Sequence, residues 1–254
     1  MAKKERIDKL LVERGLAETR ARAQALVMAG EVLAGDHRVD KPGQLVDVEL
    51  PIRLKGEGLR WVSRGALKLE AALDAFAIDP SGWTCVDLGA STGGFTDLLL
   101  ERGAAAVWVV DVGYGQLHEK LRRDPRVHAF ERKNARHVTL EELGAEPFDL
   151  AVMDLSFISL ALVLPAARDL LRQGGQMVML VKPQFEVGPE DVGKGGVVRD
   201  PEKRQAAIDK IAGVCRSLGL EVGGIVDSPI TGPAGNLEAL LWARVRAPEH
   251  TQSP

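Results

Sequence analysis

From Thr84 onward the chain alternates short apolar runs with helix-patterned segments, and no other feature restricts its fold so strongly. The runs are TCVDLG, AVWVVDVG, VHAF, FDLAVMDL, QMVMLVKP, LEVGGIVDS and LEALLWARV. Each is of strand length. Strands separated by helices form parallel sheets, because every crossover helix must pack on one face or the other. Only the turn-rich stretch Pro229 to Asn236 separates the last two runs. That is too little chain for a helical crossover, so an antiparallel hairpin is expected there. The expected fold class is α/β, a mostly parallel seven-stranded sheet ending in an antiparallel hairpin.

The front of the chain follows another pattern. Ile7, Leu10 and Leu11 share one helical face before Gly15, and Ala23, Leu26 and Val27 share another between a capping Thr19 and Gly30. Glu31 to Leu50 reads as short strands with a turn at Gly35-Asp36. This predicts a small α+β domain over residues 1–58. Pro51 to Arg64 is rich in Gly and Arg, carrying Arg53, Lys55, Arg60 and Arg64 without periodicity, and an interdomain linker is expected over 59–64. The helix pattern GALKLEAALDAF opens the larger domain, expected over 65–247, and 248–254 is expected to be a disordered tail.

The net charge of −3 gives no whole-chain sign of a polyanion-binding protein. Locally the balance differs: Lys3, Lys4, Arg6, Lys9, Arg14, Arg20 and Arg22 face only Glu5, Asp8, Glu13 and Glu18. With two cysteines, Cys85 and Cys215, neither a disulfide framework nor a four-ligand zinc site is indicated, and no metal is expected. The amino terminus lacks the apolar region of a secretory signal. The longest apolar stretch, Leu155 to Ala167, is too short and interrupted to span a bilayer. A cytoplasmic location is expected.

Asp87, Gly89, Ala90, Ser91, Thr92, Gly93, Gly94, Phe95 and Thr96 join the first strand of the larger domain to a helix start. Small residues there let a ligand approach the backbone, and the helix start offers free N–H groups. The spacing is not G-x-G-x-x-G, which argues against a dinucleotide. Asp111 ends the next strand, where a carboxylate can accept both hydroxyls of an adenosine ribose. Either feature alone fits an ordinary turn or a solvated strand end; together they indicate a nucleoside ligand. Asn134, after the third run, stands where such sheets contact adenine, although a polar residue serves a loop equally well.

Asp154 follows FDLAVM, Lys182 follows QMVMLV, Glu238 begins the last run, and Lys68 lies on the helix before the first. The sheet brings all four to its carboxyl-end crevice, where ligands bind in this architecture. One charged residue after an apolar strand is commonly just a solvated end; four converging on one crevice are a candidate catalytic set. Their types suit methylation of a ribose hydroxyl, a poor nucleophile that must lose its proton as it attacks a sulfonium methyl group. Lys182 would be the base with Lys68 nearby, and Asp154 and Glu238 would orient the ammonium groups, while proximity itself lowers the barrier. Asp154 also borders the cofactor region.

The order Lys68, Asp154, Lys182, Glu238 resembles the Lys-Asp-Lys-Glu tetrad of the FtsJ-like ribose 2′-O-methyltransferases. Together VSRGALKLEAAL, DLGASTGGFTD, DLSFISL, VKPQFEVG, GKGGVVRDP and SPITGPAGNLEALLW resemble the TlyA group within them. The front end is similar to an RNA-binding module first described in a small-subunit ribosomal protein. The resemblance implies a Rossmann-like methyltransferase domain behind a small RNA-binding domain, S-adenosylmethionine as cofactor, and cytidine ribose in ribosomal RNA as substrate. The short leader and tail resemble the shorter TlyA form, which implies the large subunit. The final block lacks the aromatic that follows the family's glutamate, a difference expected to affect packing.

RNA contacts are expected from Arg6, Lys9, Arg14, Arg20, Arg22, Arg60 and Arg64, although the interleaved acids also suit a solvated helix surface. Aromatic residues are 4% of the chain, which favours recognition of folded RNA shape over a stacking platform. Two readings of other classes stay open. One is a non-catalytic ribosome-assembly factor; the other is a membrane-active haemolysin, suggested by an alternative name in the family.

Overall fold

The structure is a computed structural model that describes residues 4–246 apart from 18, 36, 49, 51 and 55–59. It divides into two units, residues 1–60 and 61–254. The expected tail, Lys55 and the second residue of the expected Gly35-Asp36 turn lie outside the described residues.

In the smaller unit, β1 (Lys4–Arg6) runs straight into α1 (Ile7–Glu13) and is followed by α2 (Arg20–Met28). Thr19 caps α2, its Oγ1 accepting the Arg22 N–H at 3.2 Å. Then come β2 (Val32–Ala34), β3 (His37–Arg38), β4 (Leu45–Asp47) and β5 (Ile52–Leu54). β1 pairs antiparallel with β4, and β2 lies between β3 and β5. Two strands depart from expectation. β1 sits in the charged opening, and β5 in the stretch read as aperiodic, where its alternation is too short to stand out. Their pairing partners, not their composition, make them strands.

The expected apolar faces of α1 and α2 meet in the core of this unit, with Ile7, Leu11, Ala23 and Val27 fully buried. Asp8 is buried beside them, its carboxylate accepting from Arg6 Nη2 at 2.8 Å, Arg20 Nε at 3.2 Å and Gln24 Nε2 at 3.0 Å. These bonds, the one from Arg6 foremost, hold the Asp8 carboxyl well below the usual carboxylate range.

The larger unit begins with α3 (Gly65–Ala75), β6 (Thr84–Leu88), α4 (Gly94–Glu101), β7 (Ala106–Val110), α5 (Glu119–Arg122) and β8 (Val127–Phe130). It continues through α6 (Leu140–Leu143), β9 (Phe148–Met153), α7 (Leu164–Asp169) and β10 (Leu171–Val181). It closes with α8 (Pro201–Ser217), β11 (Leu220–Asp227) and β12 (Ala239–Val245). All seven expected strands form one sheet in the order β11-β12-β10-β9-β6-β7-β8. The neighbours from β10 through β8 are parallel, and β12 runs antiparallel to both β10 and β11.

Successive strand residues point to opposite faces, which accounts for the unbroken apolar runs. Cys85, Val107, Leu150, Val152 and Val178 face α3 and α4. Val86, Leu88, Ala151, Met153, Met177 and Met179 face α7 and α8. Both cysteines are buried free thiols. The division between units falls before Trp61, which is buried in the larger core rather than lying in a linker over 59–64. Its side chain has apolar area to bury, and the Val62 N–H is fixed by Asp97 Oδ2 at 2.9 Å.

Asp8→Ala removes the acceptor that organises Arg6, Arg20 and Gln24. It should destabilise the smaller unit by about 2 kcal/mol and leave the larger unit's transition unchanged, as read from denaturant unfolding followed by hydrogen exchange in each unit.

Candidate active site

The sheet reverses its winding between β6 and β9: the chain passes from β6 outward to β7 and β8, then returns to β9 on the other side. Leu88 and Met153, the last residues of these two strands, are paired. The turns that follow therefore leave side by side from the sheet's carboxyl edge, the place where open α/β sheets bind ligands. Gly89 is in the left-handed region at φ +87°, and a Cβ there would come within 2.8 Å of Leu155 Cδ2 and 3.1 Å of the Asp154 carbonyl oxygen. A Cβ on Gly94 would stand 3.1 Å from the Ala66 nitrogen. Side chains at either position would push the turn away from its neighbours.

A cavity of about 510 Å³ opens at this edge. Its walls include Asp87, Gly89, Ala90, Ser91, Thr92, Gly94 and Phe95, together with all four candidate catalytic residues. Lys182 Nζ lies 2.6 Å from Asp154 Oδ1 and donates to Ser156 Oγ at 2.8 Å. Lys68 Nζ lies 2.6 Å from Glu238 Oε2, with side chains 7% and 0% exposed. Their arrival follows from the sheet. Asp154 and Lys182 extend the adjacent ends of β9 and β10. Glu238 precedes β12, whose antiparallel start, Ala239, pairs with Val181, so the amino end of that strand reaches the same edge. Lys68 comes from α3.

Not every expected cofactor residue lines the cavity. Gly93 and Thr96 lie behind the wall, and Thr96 is fully buried with its N–H and Oγ1 donating to Asp87 Oδ2 at 3.1 and 2.6 Å. Asp111 does not line this cavity but stands next to it, half-buried, accepting the Ser91 N–H at 2.8 Å and the Gly113 N–H at 2.7 Å. Asn134 is exposed, and its Oδ1 accepts the Arg136 N–H at 3.0 Å in a local turn. Asp87 is fully buried, and burial pushes its carboxyl up to about 7; the negative Asp154 adds to the rise, while the Thr96 hydroxyl opposes it. Asp87 Oδ1 and Glu238 Oε1 are buried without a hydrogen-bond partner among the described residues.

Several wall residues were not anticipated. Ser156 and Phe157 follow β9, Gln184 and Phe185 follow β10, and Asn236 precedes Glu238. They stand in blocks already notable in the sequence, but nothing there says which of them turn inward. Phe157 is held at φ +64°, 91% exposed, with its ring 5.3 Å from that of Phe185.

The expected RNA-contacting cations are differently disposed. Arg6 and Arg20 are engaged by Asp8, Lys9 by Glu5 and Glu13, and Arg14 by the Val48 and Leu50 carbonyls. Arg22 and Arg60 are exposed, and Arg64 is an exposed member of the cavity wall. Among the described residues no group of three or more His, Cys, Asp or Glu is placed to hold a metal ion. No helix among them is long and apolar enough to cross a membrane.

Residues 61–245 match the model of the FtsJ-like methyltransferase family, and residues 5–52 match that of the S4 domain. The chain is 49% identical over 247 residues to a 16S/23S rRNA (cytidine-2′-O)-methyltransferase TlyA of Mycobacterium tuberculosis, covering 97% of this chain and 92% of that protein. It is 36% identical over 235 residues to Hemolysin A of Brachyspira hyodysenteriae, covering 92% and 98%. A solved chain from Streptococcus thermophilus with a provisional hemolysin description superposes with a TM-score of 0.76 at 44% identity, over 97% of this chain and 90% of that one.

The Asp87 carboxyl yields a pH test. Between its usual 3.8 and about 7 the unfolded chain releases this proton while the folded chain keeps it, so stability falls as pH rises through that window. Asp87→Asn has no such proton to release. Its melting temperature relative to the parent should climb between those limits and level off above them, as measured by calorimetry across pH.

Proposed function

Because this chain belongs to the FtsJ-like methyltransferase family and carries an S4 domain ahead of its catalytic unit, we propose that it methylates the 2′-hydroxyl of a cytidine ribose in ribosomal RNA, with S-adenosylmethionine as methyl donor. The observation that carries this reading is the convergence of two lysine–carboxylate pairs on one glycine-lined cavity. The proposed place of action is the cytoplasm, and the large ribosomal subunit is the first particle to test.

The residues present fit the cofactor. The turn 89–95 gives close backbone approach at a helix start. The buried Asp87 carboxylate, with one oxygen unpartnered, suits the cofactor's ammonium group. Asp111 suits its ribose, because each carboxylate oxygen keeps acceptor capacity beyond the N–H it already receives. When bound, S-adenosylmethionine supplies an electrophilic methyl group on a sulfonium centre.

Lys182 is the proposed base. Asp154 and Ser156 fix its amine at the end of β10 and leave one direction of the nitrogen open to the cavity. From there, in its neutral form, it takes the proton of the ribose hydroxyl. Glu238 immobilises Lys68 in the same wall, where the Lys68 ammonium lies ready to stabilise negative charge developing on the hydroxyl oxygen. The walls built by α3 and by the segment before β12 limit access of water, so the hydroxyl and methyl group meet in a fixed geometry.

Lys182→Ala should lower methyl transfer by at least about 100-fold while S-adenosylmethionine still binds, as shown by calorimetry and by labelled-methyl transfer. Mass mapping of both rRNAs from a strain lacking the gene should reveal a missing ribose methylation, restored by the parent protein and not by the Lys182→Ala protein. A full complement of methyl groups in that strain, with no transfer in vitro, would reject the reading.

A further inference from the structure

Among the described residues three cations at or beside the cavity have no counter-charge: Arg64 in its wall, and Lys194 and Arg199 together on one segment next to it. Lys194 and Arg199 are exposed, and neither forms an ion pair among the described residues. Nearby cations on α8 do: Lys203 pairs with Asp191, Arg204 with Asp227, and Lys210 with Glu186. Asp200 is also occupied, capping α8 through the Glu202 N–H at 2.9 Å.

The segment that carries them is built into the site. Gly193 and Val197 form an antiparallel bridge, the Gly193 N–H donating to the Val197 carbonyl at 3.1 Å. Gly195 and Gly196 lie at φ +84° and +77°, a region that residues with a Cβ rarely adopt, so the loop can turn this tightly. Asn236, 1% exposed, locks the loop in place. Its Oδ1 accepts the Val198 N–H at 2.9 Å, and its Nδ2 donates to the Gly196 carbonyl at 2.8 Å. Val192, Gly196 and Asn236 all line the cavity that holds Lys182 and Glu238. A buried side chain thus fixes a loop with two un-neutralised cations against the proposed reaction site.

Two positive charges on an anchored segment are most stabilised by an anion that arrives as the site fills. Resting on the reading above, we propose that Lys194 and Arg199 grip backbone phosphates of the RNA on either side of the nucleotide that enters the cavity. The glycine-lined turn 89–95 builds the part of the wall suited to the cofactor. The 192–196 loop belongs to the part shared with Pro233, Ala234 and Asn236, which leaves it to the RNA. Phosphate contacts of this kind set register without reading sequence.

The test uses the full chain with Lys194→Ala and Arg199→Ala together, and Arg168→Ala with Arg216→Ala as a control of equal charge change on α7 and α8. Binding to rRNA purified from a strain lacking the gene is measured at several salt concentrations, with cofactor affinity and single-turnover methyl transfer alongside. The expected result is RNA affinity lower by about tenfold or more at low salt, with a slope of log K against log [salt] shallower by about 1 to 2. Cofactor affinity should be unchanged, and transfer should recover at saturating RNA. An unchanged salt slope, a loss equal to the control's, or a fall in cofactor affinity overturns the phosphate grip while leaving the methyltransferase reading intact. A parent protein that transfers no methyl group to this rRNA overturns the reading and the grip with it.

Discussion

The candidate site depends on the reversal of strand order between β6 and β9. A parallel sheet wound in one direction would cover each strand end with the next crossover. Here the chain leaves the central strand toward β7 and β8 and later returns on the other flank, so two adjacent strands deliver their turns to the same edge with nothing between them. The packing of Gly89 against the Asp154 backbone follows from that adjacency. So does the meeting of a glycine-rich turn and a carboxylate that are distant in sequence. The second constraint is the single antiparallel strand. Because β12 runs against its neighbours, its amino end, not its carboxyl end, reaches the site and brings Glu238 opposite the end of β10.

Burying charge is costly, and the distribution of buried charge separates structure from function. Lys68 and Glu238 are nearly out of contact with water. Such a pair often contributes no more stability than apolar residues of similar volume, since desolvation offsets the mutual attraction. The chain nonetheless places this pair, the Lys182–Asp154 pair and the strongly perturbed Asp87 in one cavity. A cluster of costly groups around empty volume is explained by chemistry better than by folding. Asp8 is the contrasting case. It is buried in the smaller unit and satisfied by the side chains of Arg6, Arg20 and Gln24, and its role is to hold α1, β1 and α2 in place.

That contrast changes how the basic opening is understood. Counted along the chain, Arg6, Lys9, Arg14 and Arg20 read as a polyanion-binding patch. In three dimensions much of their charge is answered by Asp8, Glu5, Glu13 and backbone carbonyls. Arg22 stays exposed, and Arg64 was legible as a cation but not as part of a cavity wall. Charge counting along a chain reports composition; whether a guanidinium is free for a partner depends on acids brought close by folding.

The layered sheet, its seven strands, the antiparallel hairpin and the four charged residues near the strand ends can all be read from local pattern. Hydrophobic periodicity and turn length are local properties and survive without coordinates. Strand order came from long-range contact, as did the pairing of Lys182 with Asp154 and Ser156, the anchoring of Asp111 by the Ser91 N–H, and the strands β1 and β5. Each of these depends on a partner far away in the chain. β1 and β5 are too short to hold strand geometry without their neighbours, and a polar side chain after a strand turns inward only when another element supplies its hydrogen bond. Local pattern sets which elements form, and long-range contact sets which of their side chains meet.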